Sequence, residues 1–252
     1  MTEPSSIAAP PASTAPAAPQ KASFWEDLID IFFSPAAVFR RNQTKSVWPP
    51  LLFVSLAIGV IFFATFNQLE PIFDAEFTRN MAKATAKGTQ QIPPEALSKM
   101  KSVGESVTRY GLSVIMFITI LVVGAVSWVI GKIFGSAQSF HAALVVAAWA
   151  NMPRVIGSIL GGVQGLLMDP ASLTGQLSVS LSPARFFQVD QPNPLAYQFM
   201  GRLDLITLWV TVLLATGLYV TGRVSKGRAI GFGIVVWLIG ALPVLRQAYL
   251  SM

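Results

Sequence analysis

Of 252 residues, 53% are hydrophobic and only 12% carry charge, against roughly 25% charged in an average soluble domain, which excludes an ordinary soluble enzyme. Cysteine is absent and histidine occurs once, so disulfides, thiol chemistry and a Cys/His metal centre are excluded and no cofactor or metal is expected. The net charge of +6 does not point to nucleic acid, because the basic residues gather at the ends of apolar runs, where they serve as topology signals.

Residues 1–21, rich in Pro, Ala, Ser and Thr, have too little apolar surface to offset chain entropy and read as a disordered cytosolic tail. They lack the basic start and apolar middle of a signal peptide. Residues 22–45 read as an interfacial amphipathic helix region. Ser23 and Glu26 have capping-box spacing, and Trp25, Leu28, Ile29, Phe32 and Phe33 fall at helical intervals on one apolar stripe. Glu26, Asp27 and Asp30 share the opposite face, and Pro35 ends the helix. The segment is too short to span, which leaves a membrane-interface anchor or a helix packed on the bundle, with Arg40, Arg41 and Lys45 near headgroups, or a docking stripe for a partner.

Residues 46–252 form a five-span domain, with spans at about 48–66, 111–131, 140–167, 204–222 and 228–245. The first span continues as an amphipathic helix through Leu69, Ile72, Phe73, Phe77 and Met81, Gly88 breaks it, and Pro94 with Glu95 opens the next. Glu70 and Asp74 lie one turn apart, but two carboxylates are too few to cage a cation. In the third span, "VVAAWANMPRVIGSILGG" sets Arg154 in hydrocarbon, where a charge costs several kcal/mol. Pro153 predicts a kink that frees the carbonyl of Trp149. Asn151 lies at the same level, and Asp204, at the start of the fourth span, is the expected counter-charge for Arg154. This polar group either fixes helix packing or marks a solute pathway. Gly157, Gly161 and Gly165 repeat G-x-x-x-G spacing and predict a smooth helix-packing face. No nucleophile elbow, phosphate loop or zincin motif is present, so the chain is not expected to be an enzyme.

With the tail inside, Arg40, Arg41, Lys45, Lys132, Arg223, Lys226 and Arg228 all fall on cytosolic segments and the C-terminus lies outside. In order along the chain, "FFSPAAVFRR", "VWPPLLFVSLAIG", "GKIFGSAQSFHAALVVAAWANMPRVIG" and "LDLITLWVTVLLATGLYVTGRVSKGRA" resemble the Yip1 family of five-span membrane proteins, in a bacterial form. The likeness runs from about Phe32 to Leu245. It implies an all-α integral membrane bundle, in a bacterial inner membrane, with no assigned reaction. Eukaryotic relatives imply trafficking and small-GTPase contacts, but the element tied to those contacts should fall at Val47 to Pro50. There this chain reads "VWPP" without an acidic residue, so the GTPase role is not carried over. Pro49, Pro153 and Asp204 match as scaffold positions. The first functional reading is a non-enzymatic scaffold or organiser, whose partners are the lipid bilayer, a membrane protein or a second copy of the chain. The alternative is a small transporter or channel built on the kinked third helix around Asn151, Pro153 and Arg154.

Overall fold

The computed structural model describes residues 22–86, 93–189 and 193–250, and within them the chain forms α-helices, three short 3-10 turns and no strand. The tail expected over 1–21 and the break expected at Gly88 lie outside these residues. Five helical stretches are long and apolar enough to cross a membrane: Trp48–Thr85, Pro94–Ile133, Phe140–Leu167, Leu205–Gly222 and Lys226–Arg246. The all-α five-span architecture is therefore as read from the sequence.

Helix α1 (Phe24–Phe33) and helix α2 (Pro35–Asn42) form a short hairpin. The capping box is made: the Ser23 N–H donates to Glu26 Oε2 at 2.6 Å and the Glu26 N–H donates to Ser23 Oγ at 3.3 Å, satisfying donors that a helix start leaves free. Pro35 then opens α2 at a position where its missing N–H costs nothing. The hairpin packs onto the bundle. Ile31, Val38 and Phe39 are fully buried, and the Phe24 ring lies 5.8 Å from that of Phe53 and 5.6 Å from that of Trp149.

Helices α3 (Trp48–Ala86) and α4 (Pro94–Ile133) contain 39 and 40 residues. At ~1.5 Å per residue each is about 60 Å long, roughly twice the hydrocarbon thickness of a bilayer. The expected spans 48–66 and 111–131 are thus the inner parts of two continuous helices, whose polar halves project beyond the membrane as a pair. Leu69 and Ile72 are buried there with Leu173, and the Phe66 and Phe73 rings stack at 5.6 Å. Arg109 lies over the faces of both Phe63 and Phe66, 5.0 Å from each ring centre. It thereby links α4 to α3 by cation–π attraction where the apolar run ends.

The third span is two helices, α5 (Phe140–Ala150) and α6 (Pro153–Leu167). Helix α5 is the centre of the bundle, with Val145 to Ala150 all buried. Its alanines allow this: α4 approaches so closely at Gly124 that an added Cβ would stand 2.7 Å from Leu144 and 3.2 Å from Ala147. After α6 the chain makes 3-10 turns at Pro170–Ser172, Gln176–Val179 and Pro183–Phe186. It then forms α7 (Pro194–Arg202), α8 (Leu205–Gly222) and α9 (Lys226–Leu250).

One end of the bundle is tied together by three hydrogen bonds that bring the chain near Lys45, the α4–α5 turn and the α8–α9 turn side by side. The Ala137 N–H donates to the Gly222 carbonyl at 2.9 Å, Gln138 Nε2 donates to Thr221 Oγ1 at 2.6 Å, and His141 Nε2 bonds the Lys45 carbonyl at 2.8 Å. Lys45, Lys132 and the turn from Arg223 to Arg228 therefore share that end, while Arg79, Lys83, Lys99, Lys101 and Arg109 lie along the projecting halves of α3 and α4.

Candidate functional site

Two places hold the residues singled out by the sequence: the break between α5 and α6, and the outer surface of α1.

At the break, Pro153 has no N–H, so the helical ladder cannot continue through it. The chain repairs the gap locally. Asn151 donates from both its backbone N–H and its Nδ2 to the Ala147 carbonyl, at 3.2 and 2.8 Å. The Trp149 carbonyl is not left free as expected, because the Met152 N–H donates to it at 3.1 Å in a tighter turn. Arg154 Nε then donates to Asn151 Oδ1 at 2.7 Å. Asn151 is buried while Arg154 is half-buried, so a buried amide holds the intramembrane guanidinium.

The direct ion pair between Arg154 and Asp204 is not formed. Asp204 caps α8, its Oδ1 accepting from the Thr207 N–H at 3.0 Å, while its Oδ2 accepts from the Leu181 N–H at 2.9 Å. The reason is that backbone donors, one at the start of α8 and one at Leu181 between two 3-10 turns, occupy both oxygens of the carboxylate. Arg202 and Asp204 both remain within electrostatic range of Arg154. The sequence pattern located the polar group and misassigned its internal bonds.

The expected Gly157, Gly161 and Gly165 face is also rearranged. Gly157 meets α8, where an added Cβ would lie 3.2 Å from Ile206, but Gly161 faces open space. The close face against α3 is made instead by Gly162 and Gly165, where added Cβ atoms would come within 2.6 Å of Thr65 and of Leu69. A run of fifteen residues on a helix of about 3.6 residues per turn leaves the choice among neighbouring glycines to the position of α3.

The stripe on α1 divides in two. Leu28 and Phe32 turn inward with Phe24 and Ile31, and the Phe32 ring sits 5.4 Å from that of Trp209 on α8. Trp25, Ile29 and Phe33 form the outward row, exposed by 68%, 63% and 81%. Below them lies a feature that sequence reasoning missed. Asp27, placed with Glu26 and Asp30 opposite the apolar stripe, is 1% exposed. Arg41 donates to its Oδ1 from Nε at 3.0 Å and from the terminal nitrogen at 2.5 Å, and Asn42 Nδ2 donates to its Oδ2 at 2.8 Å. Lys45 Nζ is 3.8 Å from the same carboxylate. Arg41 also donates to Asp30 at 2.6 Å. That bond to Asp30, opposed by burial and assisted by Asp27, raises the guanidinium above its ordinary value and keeps it charged. The available signal was the cluster Arg41, Asn42 and Lys45, which a hairpin turning at Pro35 folds back over Asp27.

The carboxylates Glu70 and Asp74 gain a third neighbour, Glu105 of α4, within ligand reach of one another. Lys101 Nζ already stands there, 2.7 Å from Asp74 and 3.6 Å from Glu105. A lysine therefore supplies the charge that a cation would bring, and the cluster ties the projecting halves of α3 and α4.

Five apolar helices, each long enough to cross a membrane, define a polytopic α-helical membrane protein. The chain belongs to the Yip1 family: the Yip1 domain model matches residues 29–245. Among curated proteins it is similar to membrane protein YknW of Bacillus subtilis (strain 168), 21% identical over 215 residues covering 83% of this chain and 86% of that one. No solved structure matches.

Proposed function

We propose that this Yip1-family protein is a non-enzymatic organiser of the bacterial inner membrane that works through contacts with a membrane-protein partner or a second copy of itself. In this reading the N-terminus is cytosolic and the C-terminus lies outside. One observation carries it: Trp25, Ile29 and Phe33 stand outward on a helix whose other sides are fixed by Phe24, Ile31 and the Asp27–Arg41 pair. An apolar row held on a rigid support loses little conformational entropy when a partner covers it, which favours association.

The transporter alternative receives less support. Asn151 and Arg154 bond each other across one turn and repair the backbone around Pro153, which is a packing use of an intramembrane charge. The two readings separate by mutation. Ile29→Asp with Phe33→Asp breaks the outward row without touching the bundle, and it should abolish the cellular phenotype with normal membrane insertion. Asn151→Gln should leave any phenotype intact. Loss of solute flux in reconstituted vesicles on Asn151→Gln, with the α1 double variant behaving as wild type, would overturn the scaffold reading. Reporter fusions test the orientation, with Lys226 expected inside and Met252 outside.

A further inference from the structure

On the outer surface of the bundle, α8 and α9 flank an open groove of about 440 Å³. Its walls are Ala215 and Thr216 of α8 facing Ile230 and Gly233 of α9, and one end holds Tyr219 and Lys226. Gly233 explains the shape. An added Cβ there would lie 3.2 Å from Ala215, so the helices touch at that level, and the small side chains beside the contact leave the groove open. The Thr216 hydroxyl donates to the Val212 carbonyl at 2.8 Å, which turns its polar atom back into the helix and leaves the wall apolar.

The ends of the groove are unlike. Toward mid-membrane it meets Val212 and Ile234, exposed by 61% and 56%, as a surface facing acyl chains would be. At the other end, Lys226 begins α9 in the turn from Arg223 to Arg228, whose three cations are all exposed. Among the described residues Lys226 makes neither a hydrogen bond nor an ion pair. An apolar slot closed at the membrane surface by a free ammonium and a tyrosine matches a molecule with a hydrocarbon chain and an anionic head.

We infer that this groove is a binding site for an anionic phospholipid, with one acyl chain between α8 and α9 and the phosphate-bearing headgroup at Lys226. The site is independent of the α1 row and goes beyond the organiser reading. A second copy of the chain is the weaker occupant, because a two-fold contact between parallel copies would bring Arg223, Lys226 and Arg228 against the same cations of its partner. Phosphate alone would not use the apolar walls.

The test uses the full chain in nanodiscs of phosphatidylcholine doped with phosphatidylglycerol, with retained lipids counted by native mass spectrometry. Lys226→Gln should lower the retained ratio of phosphatidylglycerol to phosphatidylcholine about five-fold, the effect of one basic residue near a membrane surface, and Lys226→Arg should keep it. Thr216→Phe, which fills the wall, should lower retention of both lipids. Lys226 is exposed at a helix end, so its variants report on binding and not on folding, and an unchanged thermal midpoint checks this. A ratio unaltered by Lys226→Gln overturns the proposal. So does crosslinking from position 216 that captures a second copy in place of lipid.

Discussion

The Asp27 network makes an asymmetric prediction. Arg41→Ala leaves a carboxylate that is 1% exposed with Asn42 Nδ2 at 2.8 Å and Lys45 at 3.8 Å as its only charge or hydrogen-bond partners among the described residues. Removing one partner of a buried pair costs about 3–5 kcal/mol, most of it the penalty of the orphaned charge. Asp27→Ala is milder, because both freed donors keep a second acceptor: Arg41 retains Asp30 and Asn42 Nδ2 retains the Val38 carbonyl at 2.9 Å. Arg41 is also 25% exposed and can turn toward water. The expected loss is about 2 kcal/mol, the range for charge-assisted hydrogen bonds. Adding Asp27→Asn to Arg41→Ala should recover at least half of the first loss, since a neutral amide costs less to bury than a carboxylate. Thermal unfolding in detergent, followed by the fluorescence of Trp149 and Trp209, which lie against Phe24 and Phe32, reads all three variants. Equal losses for the two single variants, or no recovery in the double, would refute the reasoning.

Other substitutions test other parts of the account by the same assay. Gly162→Leu should destabilise the bundle by about 2 kcal/mol or more through overpacking against Thr65. Gly161→Leu, facing open space, should be neutral or slightly stabilising from helix propensity. Asn151→Leu should cost about 3 kcal/mol, because it strips a half-buried Arg154 of its acceptor. Arg154→Met should cost less than that, since it removes the charge with the bond. Arg223 ends α8 in the left-handed region at φ 54°, so Arg223→Gly should stabilise by about 1 kcal/mol.

The membrane architecture was legible because hydrocarbon imposes one strong rule: uncharged apolar runs of sufficient length form helices. The Pro153 break and the α1 capping box were legible for equally local reasons, a missing donor and a fixed residue spacing. Contacts between elements were not. Asp27 read only as one of three carboxylates opposite the apolar stripe, and only the fold of the hairpin brings Arg41 and Asn42 over it. Phe32 and Phe33 are equivalent by composition, yet one packs on Trp209 and the other faces out, since apolar residues surround most of α1 and the pattern cannot say which side the bundle takes. Asp204 drew attention as a counter-charge, whereas its place one residue before α8 commits it to backbone donors. Glu105 and Lys101 are one turn apart on α4, but Asp74 lies thirty-one residues before Glu105 in the sequence, and only the pairing of α3 with α4 brings it to Lys101.

The organiser reading stands or falls on what covers Trp25, Ile29 and Phe33 in the living membrane. A photo-reactive residue placed at Ile29 or Phe33 of the full chain, with Leu28 as an inward control, measures this directly in cells. The account predicts one discrete protein adduct, the same from both outward positions, absent from Leu28, and lost when Trp25→Asp interrupts the row. Adducts to lipid alone at Ile29 and Phe33, unchanged by Trp25→Asp, would contradict it.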